Sequence, residues 1–303
     1  MGGPGPVLLA SVLLSACDGL GLSQSYQIDR LRVLAVAAEP AEPRPGETVS
    51  FTSLVVSPVS SVGLTTWLAC SSDSGYGCTI DEDLLSSLTG DISAMTPEEL
   101  AALYAELQAA GLIGVQPYFE PTWVVPADFL DSLTEDEKLE GTAAIVTVTA
   151  IPTLEGDSGT LDTATENIEI AYKRVPVSLA TTPNHNPVVL GITIDDVAIT
   201  PGATVRLSPG QTYHISCELS PDSLEEYTFI NDASESESRT EEPYFAWYLQ
   251  EGGFDQSNTL WPYTAVDYTV PDQPTLSQQS LWVVVRDRRG GMAWIEQKWD
   301  FGA

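Results

Sequence analysis

The chain has 303 residues, of which 43% are hydrophobic and 18% are charged, a composition typical of packed globular domains rather than disordered chains. Its charge is one-sided: 43 acidic residues against 12 basic ones give a formal net charge of −31. Such a surface repels phosphate backbones and anionic lipid headgroups, so we exclude nucleic acid as a partner and electrostatic attachment to membranes. The length suits two domains better than one.

An apolar run close to the start of the sequence has the length of a signal-peptide core. Residues 7–14 read VLLASVLL, which is too short to cross a bilayer because a spanning helix needs about 20 residues. The run leads into Leu14-Ser15-Ala16-Cys17, which resembles a lipobox, the leucine–small–small–cysteine site of bacterial lipoproteins. The resemblance implies that residues 1–16 are a signal peptide and that Cys17 is lipidated. An ordinary signal peptide with an incidental cysteine is the alternative.

The same resemblance implies an address in the bacterial cell envelope. Each buried methylene of an acyl chain adds about 0.8 kcal/mol, so two or three chains on Cys17 would anchor the protein to a membrane. Residues 17–25 would then be the lipidated N-terminus and a tether. Asp18 resembles an inner-membrane retention signal of some bacteria. The outer membrane and the periplasmic face of the inner membrane therefore both stay open as destinations.

Three further cysteines divide into a pair and a single residue. Cys70 and Cys78 enclose a short loop of mostly small residues, and export to an oxidising compartment predicts a disulfide between them. Such a bridge would stabilise the fold by roughly 2–3 kcal/mol. A metal site is the alternative, but the only two histidines, His185 and His214, have no ligand spacing. Cys217 is predicted to be a small buried side chain rather than a reactive thiol.

Beyond the tether the sequence alternates between short apolar strands and Pro/Gly turns, and the same landmarks occur twice in the same order. The paired landmarks are a Pro-Gly turn that opens a strand (45–46 and 209–210), a tryptophan on the next strand (Trp67 and Trp247), a Val-Pro pair (125–126 and 270–271), a β-branched strand (144–149 and 281–285) and a last strand (168–175 and 292–301). This recurrence indicates a tandem duplication.

A tryptophan on the strand that follows a turn-led strand resembles the immunoglobulin-like sandwich. The second copy, with its strand at 283–287 and its Gly290-Gly291 turn, is similar to bacterial Ig-like and PKD-like extracellular modules. The resemblance implies a mainly β protein with two Ig-like antiparallel β-sandwich domains. We place these domains at residues 26–178 and 188–303, joined by a polar, proline-marked linker at 179–187.

The two copies differ in what is inserted between the landmarks. The first has a helical insert at about 80–115, where Thr96 to Glu99 forms a capping box and Pro97 suits the first helical position. A second short helical turn is expected at 135–138. The second copy has an acidic insert at about 222–242, and its stretch 231–238 is predicted to be a mobile loop because it lacks apolar periodicity.

Aromatic residues raise the question of sugar binding. Trp261 and Tyr263 lie in a turn-rich stretch, and Trp294 and Trp299 lie on the last strand. Packing in the core or at a sandwich edge is the preferred interpretation of these rings. Trp261 is predicted to be the most exposed of them, so Trp261 and Tyr263 are the candidate ligand contacts.

Acidic clusters at 81–83, 195–196 and 222–242 raise the question of calcium binding. None of them has the alternating Asp/Asn and Gly spacing that wraps oxygens around one ion, so we predict a solvated acidic surface and no metal.

No catalytic motif stands out in the sequence. It has no Gly-x-Ser-x-Gly, no His-Glu-x-x-His and no glycine loop for phosphate, so neither an enzyme nor a cofactor is expected. We therefore predict a non-enzymatic envelope lipoprotein that displays Ig-like modules for contact with an unknown protein or glycan, or that serves as a spacer. The alternative is an exported carbohydrate-binding protein or hydrolase that uses loop aromatics and carboxylates.

Overall fold

The computed structural model describes residues 24–70, 95–109, 111–230 and 235–301. In this part of the chain the fold is mainly β. The elements of the first half are β1 (Arg32–Glu39), β2 (Thr48–Val56), β3 (Val62–Cys70), α1 (Pro97–Ala109), β4 (Leu112–Gln116), β5 (Thr122–Val124), α2 (Glu135–Glu140), β6 (Thr142–Leu154), β7 (Asp157–Leu161) and β8 (Glu169–Val177).

The second half is built from shorter and more numerous strands. They are β9 (Val189–Ile194), β10 (Val197–Ala198), β11 (Thr204–Arg206), β12 (Thr212–Leu219), β13 (Glu226–Ile230), β14 (Ser236–Thr240), β15 (Tyr244–Tyr248), β16 (Gly253–Phe254), β17 (Asn258–Leu260), β18 (Ala265–Thr269), β19 (Gln278–Arg286) and β20 (Met292–Asp300). We call the sandwich of β1–β8 the first module and that of β9–β20 the second module.

Each module packs two sheets around one core. In the first module, the sheet β1-β2-β5 faces a sheet in which β4, β3, β6 and β8 are neighbours, with β7 on β6. In the second module, the sheet β10-β9-β12-β18-β16 faces the sheet β11-β20-β19-β15-β17. Apart from short edge strands, β1-β2-β5 corresponds to β9-β12-β18, and β4-β3-β6-β8 corresponds to β17-β15-β19-β20. This is the order of an Ig-like sandwich, so the predicted fold class is confirmed.

The two tryptophan landmarks occupy the same place in the two sandwiches. Trp67 on β3 lies opposite Val148 on β6, and Trp247 on β15 lies opposite Val283 on β19. Both indole rings are fully buried in the core between the sheets. Each therefore contributes one of the largest apolar surfaces removed from water on folding, at about 25 cal/mol per Å2.

The Pro-Gly landmarks are also equivalent. Gly46 and Gly210 have φ angles of +85° and +69°, which glycine adopts at little cost. The backbone N–H of Gly46 donates to the carbonyl of Val125 at 2.9 Å, and that of Gly210 donates to the carbonyl of Pro271 at 3.2 Å. The turn that opens the second strand of each module is therefore tied to the Val-Pro pair, the next landmark but one along the sequence.

The described part of the insert in the first module contains a helix that starts at the predicted capping box. α1 begins after a capping box in which the N–H of Thr96 donates to Glu99 at 2.9 Å, and that of Glu99 donates to the Thr96 hydroxyl at 3.3 Å. The helix ends at Ala109, and residues 112–116 form β4 on the edge of β3 rather than helix. The second predicted helical turn is confirmed as α2, which has its own capping box at Thr134.

The acidic insert of the second module was predicted to contain a mobile loop at 231–238, and this is wrong for its C-terminal part. Ser236–Thr240 is β14, which pairs with β13 in an antiparallel hairpin. The guanidinium of Arg239 lies 3.7 Å from the ring centre of Phe229, so a cation–π contact takes the place of an apolar cross-strand pair. Residues 231–234 lie outside the described residues.

The segment before the first module packs on the second module. The first strand begins at Arg32, and residues 26–28 lie before it. The N–H of Ile28 donates to the carbonyl of Leu249 at 2.7 Å, and the N–H of Leu249 donates to the carbonyl of Tyr26 at 3.1 Å. The Tyr26 ring lies 5.5 Å from that of Phe254. The chain therefore enters the structure along the second module.

Candidate functional site

The cysteines of the sequence analysis are only partly described. Cys17 and Cys78 lie outside the described residues, and Cys70 is the last residue of β3. Lipidation at Cys17 and the Cys70–Cys78 disulfide therefore stay predictions. Cys217 is buried in the core of the second module, and burial raises the pKa of its thiol to about 12. Its predicted place as a small buried core side chain is confirmed.

The candidate aromatic contacts are exposed in a different order from that predicted. Trp261 is half-buried, and its backbone N–H donates to the carbonyl of Pro243 at 2.9 Å. Tyr263 is 73% exposed, so the prediction that Trp261 is the more exposed ring is wrong. Trp299 is fully buried in the core, and Trp294 is partly buried against the apolar contact between the modules.

Tyr263 lines an open groove of about 680 Å3 on the second module. The other lining residues include Tyr244, Asn258 and Arg288. The hydroxyl of Tyr244 donates to the Asn258 side-chain oxygen at 2.6 Å, which fixes both groups at the rim. The groove thus offers aromatic rings, an amide and a cation, while Trp261 is not among the residues that line it.

The acidic clusters do not form a metal site where they are described. Asp195 and Asp196 have φ angles of +49° and +65° and make the tight turn between β9 and β10. One carboxylate oxygen of Asp195 accepts from the N–H of His214 at 2.9 Å. Across residues 24–70, 95–109, 111–230 and 235–301, no three His, Cys, Asp or Glu side chains are grouped so as to hold a metal ion. The cluster at 81–83 lies outside these ranges.

The feature that sequence reasoning missed is the contact between the modules. On β19, Trp282 and Val284 point away from the core of their own sandwich and pack against Leu34 and Ala35 of β1 and against Ile28. A signal for this was present, since residues 281–285 are all apolar rather than alternating. An uninterrupted apolar strand is typical of burial on both faces.

A buried cluster of charges lies beside this apolar contact. Arg289 donates to Glu241 at 2.9 Å and to Glu225 at 3.4 Å within the second module. It also reaches Glu42 of the first module at 3.5 Å. The Glu241 side chain is 2% exposed and that of Arg289 is 18% exposed, so these are desolvated ion pairs rather than surface ones.

The linker is part of this cluster. The Ser178 hydroxyl donates to Glu42, and the backbone N–H of Asn184 donates to the same carboxylate at 2.7 Å. The Asn184 amide donates to Asp287 at 2.7 Å, so one buried linker residue joins a carboxylate of each module. The segment predicted as a polar linker is therefore fixed by hydrogen bonds to both modules.

Burial shifts the titration of two carboxyl groups here. Burial, together with the nearby charge of Asp287, raises the pKa of Glu241 to about 7, although Arg289 acts in the opposite direction. Burial also raises the pKa of Asp287, even though one of its oxygens accepts backbone N–H groups from Arg289, Gly290 and Gly291 at 2.7–2.9 Å. The junction is therefore sensitive to protonation near neutral pH.

In the described part of the chain, no helix has the length and apolar character needed to cross a membrane.

Comparisons with known proteins give only distant similarity. No protein-family model matches the chain, and no curated protein matches it. A structure of a 1.5-MDa bacterial ice-binding adhesin is 10% identical, with a TM-score of 0.23 over 91% of this chain and 66% of that chain. The D00-D0 domain of intimin is 11% identical, with a TM-score of 0.25 over 90% and 99% of the two chains. Murine CEACAM1b is 9% identical, with a TM-score of 0.21 over 88% and 99%. Because these scores are low, the Ig-like fold assignment rests on the strand order above.

Proposed function

We propose that this chain is a non-enzymatic cell-envelope lipoprotein whose two Ig-like modules form one stiff body that presents a contact surface away from a membrane. The observation that carries the proposal is the junction. An apolar contact around Trp282 and Val284 and a buried polar cluster around Arg289 join the modules at adjoining positions. Two domains held by a small polar contact would be expected to move relative to each other, whereas this junction buries both apolar and charged groups.

The anchor part of the proposal rests on the Leu14-Ser15-Ala16-Cys17 sequence. Residues 17–25 would be the lipidated N-terminus and the tether, and the chain then runs along the second module at Tyr26 before β1 begins. The segment nearest to the lipid is thereby attached to both modules, which would restrict swinging of the body about its tether.

The stiffness of the two-module body can be tested by introducing one buried charge at the junction. Val284→Asp puts a carboxylate into the fully buried apolar contact, whereas Val197→Asp makes the same change at a position that is 64% exposed. In small-angle X-ray scattering of the purified protein, Val284→Asp should have a larger radius of gyration than the native chain. Val197→Asp should have the same radius of gyration as the native chain. Near-UV circular dichroism should show that both modules stay folded. Unchanged dimensions in a folded Val284→Asp protein would contradict the proposal of a stiff body.

Anchoring is tested by metabolic labelling with an alkyne analogue of palmitate in a bacterial host. The native chain should be labelled and recovered with membranes, and Cys17→Ser should lose both properties. Cys217→Ala is the matched control, because Cys217 is buried and its removal should leave the label in place. A labelled Cys17→Ser protein would disprove the lipid anchor.

A further inference from the structure

The rare basic residues of this chain are concentrated in one place. Five of the 12 line a single pocket of about 390 Å3 between β8 of the first module and the β19–β20 turn of the second. They are Lys173, Arg174, Arg286, Arg288 and Arg289. None of the described residues that line the pocket is acidic, although the chain has 43 acidic residues. Four carboxylate partners of these cations, Glu42, Glu225, Glu241 and Glu242, lie outside the pocket lining, so the wall of the pocket itself is basic and favours an anionic ligand.

Two of these cations, Arg174 and Arg286, have no ion pair with a carboxylate in the described part of the chain, whereas the charge of Asp287 acts on Lys173. Lys173 is only 4% exposed, and its ammonium donates to the carbonyl of Gly290. Arg286 donates to the carbonyl of Leu34 at 3.0 Å. Arg174 is exposed and has no ion pair. The charge of Asp287 offsets part of the cost of burying the Lys173 ammonium.

Arg288 connects this pocket to the aromatic groove described above, because it lines both. Its ion pair with Glu242 is long, at 3.6 Å, and both side chains are about three-fifths exposed, so a ligand could displace Glu242 at little cost. The groove carries Tyr263, and the pocket carries Tyr172, which is 54% exposed. Rings that offer an apolar face, next to an amide and several guanidinium groups, suit a ligand that has both sugar rings and acidic groups.

We propose that this surface binds an acidic saccharide, a sugar chain that carries carboxylate or sulfate groups. An acidic group occupies the basic pocket, where Arg174 and Arg288 supply the charge, and an adjoining sugar ring lies in the groove at Tyr263. The inference deepens the contact role in the proposed function by naming a ligand class. It does not depend on the lipid, because the binding surface is formed by the folded modules.

The pH dependence of binding should follow Lys173. Burial lowers the pKa of its ammonium to about 8, with the positive charge of Arg286 acting in the same direction and Asp287 opposing it. A bound anion favours the charged form, so affinity should be highest below pH 8 and should decline as pH rises through that value.

Isothermal titration calorimetry tests the proposal with the full chain carrying Cys17→Ser, which removes the lipid from the measurement. The probes are an oligogalacturonate, a heparin-derived oligosaccharide, a neutral maltooligosaccharide and inorganic sulfate. We expect binding of at least one acidic oligosaccharide and none of the neutral one. Tighter binding of the oligogalacturonate would identify carboxylate as the recognised group, and tighter binding of the heparin fragment would identify sulfate.

The matched variants remove two positive charges in different places. Arg174→Gln with Arg288→Gln changes two exposed side chains of the pocket and should weaken binding at least about tenfold. Arg30→Gln with Arg206→Gln makes the same charge change at exposed positions outside the pocket and should leave the affinity unchanged. The proposal is overturned by equal weakening in both pairs, by equal binding of the neutral oligosaccharide, by inorganic sulfate binding as tightly as the oligosaccharides, or by no binding of either acidic probe.

Discussion

The two modules have the same strand order, but the sheet that carries the core tryptophan has its outer face covered in a different way in each module. In the first module this face is covered by the module's own insertion, since Leu107 of α1 packs on Leu64, Leu68 and Ile151. In the second module the corresponding face is covered by the first module, which packs on Trp282 and Val284. Both sheets are therefore buried on two sides. The first module is self-contained in this respect, whereas the second needs its neighbour.

The largest effect should come from removing the shared cover of the second module. Trp282→Ala should lower the free energy of unfolding by about 3–5 kcal/mol, because the nearly buried indole bridges the second sheet and β1. Urea denaturation followed by tryptophan fluorescence measures the loss. Trp261→Ala, at a half-buried turn, is the control and should cost clearly less. Equal losses in the two variants would contradict the role given to the junction.

Leu107→Ala sharpens this comparison from the other side. It should destabilise the first module by about 2–5 kcal/mol, because it leaves a cavity under α1. Within this apolar cluster, α1 packs only on the sheet of its own module. Hydrogen exchange resolved by residue should then show faster opening of β3, β4 and β6. Protection of β19 should fall in Trp282→Ala. If Leu107→Ala lowers the hydrogen-exchange protection of β19 as much as that of β3, then α1 does not cover the first module independently of the junction.

The polar part of the junction should also be costly to break. Arg289→Ala leaves the buried carboxylate of Glu241 and that of Glu42 without their cation, and should destabilise the protein by about 3 kcal/mol at pH 8. Arg288→Ala, the neighbouring residue in an exposed ion pair, should cost less than about 1 kcal/mol. Thermal unfolding of the two variants measures the difference. A near-neutral Arg289→Ala protein would indicate that the ion pairs merely offset their own desolvation.

Protonation of Glu241 gives a smaller effect with a definite sign. Its folded-state pKa of about 7 lies above the ordinary value of 4.5, so the folded state binds the proton more tightly and stability falls as pH rises from about 4.5 to 7. In Glu241→Gln the decrease in stability between pH 4.5 and pH 7 should be smaller than in the native protein by roughly 2–3 kcal/mol. Asp287 contributes a fall of the same sign in both proteins. Urea denaturation at pH 5 and pH 8 measures the change, and a Gln variant with the native pH profile would exclude this assignment.

The comparison also explains which features could be read from the sequence. The turn glycines, the two core tryptophans and both capping boxes are local patterns, so Gly46, Trp67 and Thr96 were placed correctly from neighbouring residues alone. The relation between modules is not local. Ile28 pairs with Leu249, and Asn184 joins Glu42 to Asp287, across separations that no periodicity encodes.

The binding surface was predictable only in part. Tyr263 was singled out because it lies in a turn-rich stretch, but a turn does not say which of two adjacent rings faces solvent, and Trp261 is the more buried one. The basic pocket draws its residues from β8 and from the β19–β20 turn, more than a hundred residues apart. The only signal in the sequence was the run of arginines at 286, 288 and 289 in a chain poor in basic residues.

The smallest effect concerns the α-helices, which among the described residues occur only in the first module. At the start of α2, the Thr134 side chain accepts from the N–H of Glu137, and the Glu137 side chain accepts from the N–H of Thr134. Thr134→Ala removes one acceptor and should cost about 1 kcal/mol. Thr134→Ser keeps the hydroxyl and is the matched control, with little change expected in urea midpoint. Because α2 contributes no buried residue, losing its cap should leave the core and the junction between the modules unchanged. A shift in the protection of β19 after Thr134→Ala would mean that the first module transmits even surface changes to the second, and that its own cover does not isolate it.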